Sequence, residues 1–117
     1  MENNAAINAL SALAQTTRLE TFRTLVRHEP DGVPAGELAR MLDVPQNTMS
    51  AHLGTLARAG LIKSERQSRS IIYRADLDGF RDLTLFLLKD CCGGSAELCA
   101  PLIAELTPCC APAPRPS

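Results

Sequence analysis

A mainly helical domain with one small β-hairpin is the fold class the sequence predicts, on three observations. Apolar residues recur at helical spacing in four segments of the first sixty residues and again after residue 76. β-branched and aromatic residues gather in only two short runs between those segments. The composition, 45% hydrophobic with 3% aromatic and no Trp, suits helices packed with Leu and Ala rather than a β-sandwich. A length of 117 residues gives room for one core, which excludes a two-domain enzyme.

The elements follow in order. A first helix is expected over Asn3 to Ala14, with Ile7, Leu10 and Ala14 on its inward stripe. Thr17 with Glu20 three residues later reads as a capping box. Leu19, Phe22 and Val26 then carry a second helix to the breaker Glu29-Pro30-Asp31-Gly32, with His28 capping its C-terminal dipole. A short third helix fits Ala35 to Leu42, with Leu38, Met41 and Leu42 inward, and Asp43-Val44-Pro45 turns the chain into a fourth over Gln46 to Ala59, closed by Gly60. Strands are expected over Leu61 to Arg66 and Ser70 to Ala75, joined by Gln67-Ser68-Arg69. Asp76 stands where an N-cap belongs for a fifth helix over Leu77 to Asp90. Its apolar residues (Leu77, Phe80, Leu83, Leu87 and Leu88, with Leu85 and Phe86 beside them) span an arc too wide for one packing partner, which predicts a dimer through the terminal helices. Gly93-Gly94 ends that helix, a short helical piece is expected through Leu98 to Leu106, and 107–117 reads as a disordered Cys/Pro-rich tail after a single domain over 1–106.

Two short helices joined by a turn and followed by a hairpin give the order of a winged helix-turn-helix, whose second helix enters the major groove of DNA. The fourth helix fits that role. Met49, Leu53 and Leu56 share one face, which leaves Asn47, Thr48, Ser50, Ala51, Thr55 and Arg58 on or near the other, a small, polar, acid-free set that Gln46 joins at the helix start as a DNA-binding candidate. Such groups pair with base edges and phosphates, whereas a carboxylate there would repel the backbone. The chain's net charge is −1, yet residues 46–74 hold Arg58, Lys63, Arg66, Arg69 and Arg74 against Glu65 alone, a net of +4. Positive charge concentrated on the groove-reading helix and hairpin is the polarity that operator DNA requires, with counterion release supplying much of the affinity.

Several runs together resemble the ArsR/SmtB family of dimeric metal-responsive repressors. They are Leu13-Ala14-Gln15-Thr16-Thr17-Arg18-Leu19, Gly36-Glu37-Leu38-Ala39, Gln46 to Leu53 with its Ser-x-His-Leu ending, Ala59-Gly60-Leu61-Ile62 and Ile71-Ile72-Tyr73-Arg74. The resemblance covers roughly residues 10 to 90 and implies a homodimer that binds operator DNA, with His52 near phosphate or base. By spacing alone His52 lies at the border of the buried face, where a structural histidine is the competing reading. Two positions depart from the family pattern: Gln15-Thr16 stands where Asp-Pro commonly opens the second helix, and Pro45-Gln46-Asn47 where Ser-Gln-Pro opens the fourth.

The five cysteines all lie in the last third of the chain, an odd number that does not make a secreted disulfide framework. Cys91 and Cys92 end the fifth helix, and Cys99 follows across the Gly-Gly turn, so three thiols can converge. Three soft donors suit a thiophilic ion such as As(III) or Sb(III), whereas structural zinc takes four ligands. A disulfide between Cys99 and Cys91 or Cys92 is the redox alternative, and thiols packed as small hydrophobes are the bland one. The resemblance sharpens the choice. Arsenic-sensing relatives often carry a Cys pair after Glu-Leu in the third helix, where Glu37-Leu38-Ala39-Arg40-Met41 has none. Zinc-sensing relatives use Asp and His on the last helix, and no His follows His52. What remains resembles members that sense trivalent arsenic through three cysteines at the end of the fifth helix, with Cys109 and Cys110 as auxiliary donors or dispensable thiols.

The expected function is therefore repression of an operator by the homodimer, with release when As(III) or Sb(III) binds Cys91, Cys92 and Cys99. A thiol-disulfide sensing repressor of the same fold, or a metalloid-binding protein without a DNA function, are the alternatives. No nucleophile with a base partner, no phosphate-cradling Gly-rich loop and no paired catalytic carboxylates occur, so an enzyme is not expected. Neither a membrane partner nor export is expected, since no run of about 18 apolar residues and no leader pattern occurs, which makes the cytoplasm the expected location.

Overall fold

The computed structural model describes residues 1–89. They form α1 (Asn3–Leu13), α2 (Thr16–Arg27), β1 (Val33–Pro34), α3 (Ala35–Met41), α4 (Gln46–Arg58), β2 (Ile62–Gln67), β3 (Ser70–Ala75) and α5 (Leu77–Lys89). The chain divides into one compact unit, Met1–Leu83, and a second that begins at Thr84. This is the expected winged helix-turn-helix order with one addition: β1 joins the hairpin to make a three-stranded antiparallel sheet, β1-β3-β2, in which Val33 pairs with Tyr73 and Pro34 with Ile72. Two residues are too few to show alternation, and a proline is tolerated because β1 is an edge strand. The expectations for Gly93-Gly94, for Leu98 to Leu106 and for the tail from Thr107 lie outside the described residues.

The core follows helical periodicity with a correction in each of the first three helices. In α1 the buried stripe is Ala6, Ala9 and Ala12, while Ile7 and Leu10 stand 56% and 42% exposed, the reverse of the expected inward face. α1 packs against α2 and α4, and an alanine face lets helix backbones approach closely where Ile and Leu would hold them apart. In α2, Phe22 is buried as expected but Leu19 and Val26 are exposed, and Thr21, Thr24 and Leu25 fill the interior instead. Apolar counting passes over such threonines. The Thr21 hydroxyl donates to the Thr17 carbonyl at 2.7 Å, which satisfies its one polar group and lets the methyl side pack inside. In α3 Leu38 is buried as expected, but Ala39 fills the interior in place of Met41, which is exposed, and Leu42 is half-buried.

The caps explain where the helices stop and start. Gln15, not Thr17, is the N-cap of α2: its side-chain oxygen accepts the Arg18 N–H at 2.8 Å, so the expected Thr17–Glu20 box does not form. At the other end of α2 His28 is the C-cap as expected, its Nδ1–H donating to the Thr24 carbonyl at 2.9 Å. α3 ends with Asp43 in the left-handed region (φ 56°), where the Val44 N–H reaches the Ala39 carbonyl at 3.0 Å and the Asp43 N–H reaches Arg40 at 3.2 Å. That double bond pattern sets the sharp turn into α4. No side chain caps Pro45 at the start of α4, and Asn47 Oδ1 accepts the free Thr48 N–H at 2.9 Å. α4 closes the same way as α3: Gly60 has φ 80°, Leu61 N–H bonds the Leu56 carbonyl at 3.1 Å, and buried Leu56 and Leu61 supply the accompanying apolar pair.

β2 and β3 pair from Ile62–Ala75 to Gln67–Ser70, so the turn is Ser68-Arg69 and the first strand runs one residue further than expected. Asp76 caps α5 as expected, accepting the Gly79 N–H at 3.1 Å. Phe80 then sets its ring 5.5 Å from that of Phe22, which ties α5 to α2.

Candidate nucleic-acid interface

Three fully buried side chains orient α4. Met49, Leu53 and Leu56 have no measurable exposure, and because they recur on one helical face the opposite face must point outward. Gln46, Asn47, Thr48, Ser50, Ala51 and Arg58 are accordingly exposed, and His52 and Thr55 sit half-buried at one border. α3 packs on α4 through the Asp43 turn, which is the two-helix arrangement that presents a groove-reading helix.

Along the half-buried border the side chains are tied to the scaffold. Thr55 Oγ1 donates to the Ala51 carbonyl at 3.2 Å, and Arg58 Nη2 lies 3.5 Å from Thr55 Oγ1. His52 Nδ1 stands 3.3 Å from Arg18 Nη1. A guanidinium only donates, so Nδ1 is the acceptor and the ring proton sits on Nε2. Arg18 itself is held from behind, its Nε donating to the Ala12 carbonyl at 2.7 Å. His52 thus combines the two readings of the sequence: it has a structural partner on one nitrogen and a donor remaining on the other. No local pattern singles out Arg18, which lies on α2, 34 residues before its histidine partner.

The hairpin projects from the core. Beyond Ile62 every residue of β2 is exposed, and Lys63, Arg66 and Arg69 present their charges there, Arg66 opposite Ile71 and Arg69 in the turn. Arg74 does not belong with them. Its Nη2 donates to Glu29 Oε1 at 2.9 Å, with the two side chains 28% and 17% exposed, and the hydrogen bond to Glu29, followed by that carboxylate's charge, holds the guanidinium above its usual pKa. Arg74 is therefore a tie between β3 and the end of α2, and the charge free to meet DNA is Arg58, Lys63, Arg66 and Arg69 against Glu65, a net of +3 rather than +4. Glu29→Gln is expected to lower the melting temperature, because the Arg74 charge loses its counter-ion, while leaving the salt dependence of DNA binding unchanged. A matched pair of melting curves and duplex titrations checks both halves.

Cys91, Cys92, Cys99, Cys109 and Cys110 lie outside the described residues. Among the described residues no group of three or more His, Cys, Asp or Glu is placed to hold a metal ion, and no helix is long and apolar enough to cross a membrane.

Comparison with known proteins bears on the same elements. A family model described as a helix-turn-helix domain matches residues 13–65, from the end of α1 into β2. The chain is 38% identical over 65 residues to the biofilm growth-associated repressor of Agrobacterium fabrum, covering 56% of this chain and 53% of that protein. It is 32% identical over 75 residues to the transcriptional activator HlyU of Vibrio cholerae, covering 62% of this chain and 67% of that one. The chain thus spans about half to two thirds of the length of these relatives. Among solved structures, an ArsR-like transcriptional regulator from Rhodococcus sp. RHA1 superposes with a TM-score of 0.71 at 27% identity, covering 83% of this chain and 89% of that one. A crystal structure described as a possible transcriptional regulator for arsenical resistance gives 0.61 at 26% identity, covering 70% of this chain and 82% of that one.

Proposed function

The chain belongs to the ArsR/SmtB family of winged helix-turn-helix DNA-binding transcriptional regulators, and from that membership we propose that it represses its operator as a homodimer and lets go when As(III) or Sb(III) binds Cys91, Cys92 and Cys99. The observation that carries the DNA half is the acid-free outward face of α4, fixed by the buried Met49, Leu53 and Leu56 beneath it. Gln46, Asn47, Thr48 and Ser50 read base edges, while Thr55, Arg58, Lys63, Arg66 and Arg69 meet phosphates. Dimerisation is supported by the apolar residues that α1 and α5 leave exposed, Ile7 and Leu10 on the one and Leu77 and Phe80 on the other.

The sensing half is supported by the donor set. In sequence a single residue separates the last residue of α5 from Cys91 and Cys92, and Cys99 is seven residues beyond Cys92, so three thiolates can bind one thiophilic ion in a protomer. A metalloid supplies three-coordinate bonding to sulfur, and the chain supplies the donors at the end of the helix that pairs the subunits. Two protomers each contributing a coupling of ~1–3 kcal/mol would together weaken operator binding by about thirtyfold or more. The likeness to a protein described as a possible transcriptional regulator for arsenical resistance favours the same reading.

The test is a titration of the reduced full-length chain on duplex from its own promoter, with arsenite in one arm and peroxide in the other. Release by arsenite under reducing conditions is expected, and release by peroxide alone would establish the thiol-disulfide sensor instead. In the same assay Arg69→Gln is expected to flatten the slope of log affinity against log salt by about 1.8, roughly 0.9 for each protomer's lost phosphate contact. Ser50→Ala is expected to narrow the gap between cognate and unrelated duplex.

A further inference from the structure

We infer that the cleft between α1, α2 and the C-terminal half of α4 grips a phosphate of the DNA backbone outside the groove, through Arg18 and Arg58 together. The inference rests on the DNA-binding reading above and adds to it a contact that no base-reading residue makes.

The cleft, about 350 Å³, is lined by Asn8 and Ser11 of α1, Arg18 of α2, and Thr55 and Arg58 of α4, with no acidic side chain among its walls. Two guanidiniums, two hydroxyls and an amide without a carboxylate form an anion site, and these are the side chains that hold DNA phosphates. Arg18 is already in place to act. Its Nε is spent on the Ala12 carbonyl and its Nη1 on His52 Nδ1, so the guanidinium plane is fixed and Nη2 remains as the donor for a ligand. A donor held before the ligand arrives loses little conformational freedom on binding. Arg58 is exposed, bonded only weakly to Thr55 at 3.5 Å, and can swing to complete a two-sided grip.

Position selects the source of the phosphate. Arg58 belongs both to the cleft and to the outward face of α4, and Thr55 to the cleft and the border of that face, so a helix lying in the major groove brings the cleft against the strand that borders that groove. The wing carries Lys63, Arg66 and Arg69 on a separate element, so the duplex is held on both flanks of the reading helix.

Arg18→Gln separates this from its alternatives. In the full chain, under reducing conditions, the variant is expected to bind promoter duplex and an unrelated duplex of equal length at least about tenfold more weakly on both, since a hydrogen bond to a charged partner is lost in each protomer. The salt slope should fall by about 1.8. A duplex with one uncharged methylphosphonate at a single backbone position in each half-site should weaken the wild type and make no difference to Arg18→Gln. Because Arg18 also supports the Ala12 carbonyl, Asn8→Asp serves as a second variant: it lies on the exposed side of α1, leaves Arg18 untouched, and should weaken binding to every sequence by placing a carboxylate in the cleft.

An unchanged salt slope in both variants, with melting curves like that of the wild type, would overturn the inference, as would a methylphosphonate scan in which wild type and Arg18→Gln differ nowhere. Saturable binding of inorganic phosphate to the DNA-free protein, lost in Arg18→Gln while duplex binding is unaltered, would reassign the cleft to a free anion. Failure of the wild type to bind either duplex would instead bring down the DNA-binding reading itself.

Discussion

Gly79→Ala is expected to destabilise the protein by at least about 3 kcal/mol, since overpacking against an immovable neighbour exceeds the usual 1–3 kcal/mol. A Cβ built on Gly79 overlaps the Gly60 carbonyl oxygen and stands 3.2 Å from the carbonyl carbon. Both partners are backbone. Gly60 cannot yield, because its φ of 80° and the Leu61–Leu56 hydrogen bond fix the end of α4, and the first turn of α5 cannot retreat without breaking the Asp76 cap on Gly79. The melting temperature should fall by roughly 12–24 °C, at about 4–8 °C per kcal/mol for a domain of this size. Gly54→Ala is the control. There the added carbon would meet only the Arg58 Nη1 end at 3.3 Å, a flexible tip, and mid-helix alanine is favoured over glycine by about 1 kcal/mol, so stability should hold or rise. Calorimetry of the two variants side by side checks the contrast, and a Gly79→Ala protein that melts with the wild type would refute the packing described.

Ala51→Glu is expected to abolish operator binding while leaving the fold intact. Ala51 lies near the centre of the exposed face of α4, flanked one turn away by Asn47 and Thr55. A glutamate is a good helix former and meets solvent in the free protein, so the melting curve should not move by more than about 0.5 kcal/mol. In the complex the same carboxylate enters the most negative surroundings available to it, in both half-sites of a dimer. A loss on the order of a thousandfold is expected, from about 2 kcal/mol per protomer of unpaired charge and displaced base contact. Anisotropy with labelled duplex measures it. Retention of affinity within tenfold would mean that another surface reads the DNA.

How much of this was legible in the sequence depends on the kind of signal. The order of helices, the α4 core stripe and the Gly60 stop were legible because periodicity and a left-handed turn leave marks in residue type. The inward face of α1 was not, because alanine is ambiguous: hydrophobicity ranks Ile7 and Leu10 above Ala6, Ala9 and Ala12, while close approach of helices ranks them the other way. β1 was too short to show a period, and buried Thr21 reads as polar until its hydrogen bond to Thr17 is known. In the site, the outward set of α4 followed from spacing alone. The pairing of Arg74 with Glu29 and the cleft around Arg18 did not, since each joins residues more than thirty positions apart that no local pattern connects. The thiol site rests on residue chemistry at Cys91, Cys92 and Cys99 and on the family to which the chain belongs.

The most direct measurement is an arsenite titration of the complex between the reduced full-length chain and labelled promoter duplex, run for the wild type and for each single Cys→Ser variant. Sensing through Cys91, Cys92 and Cys99 predicts release at one arsenite per protomer for the wild type, for Cys109→Ser and for Cys110→Ser, and a duplex that stays bound at the same arsenite concentration for Cys91→Ser, Cys92→Ser and Cys99→Ser. Release of the duplex from those last three variants along the wild-type curve would contradict it.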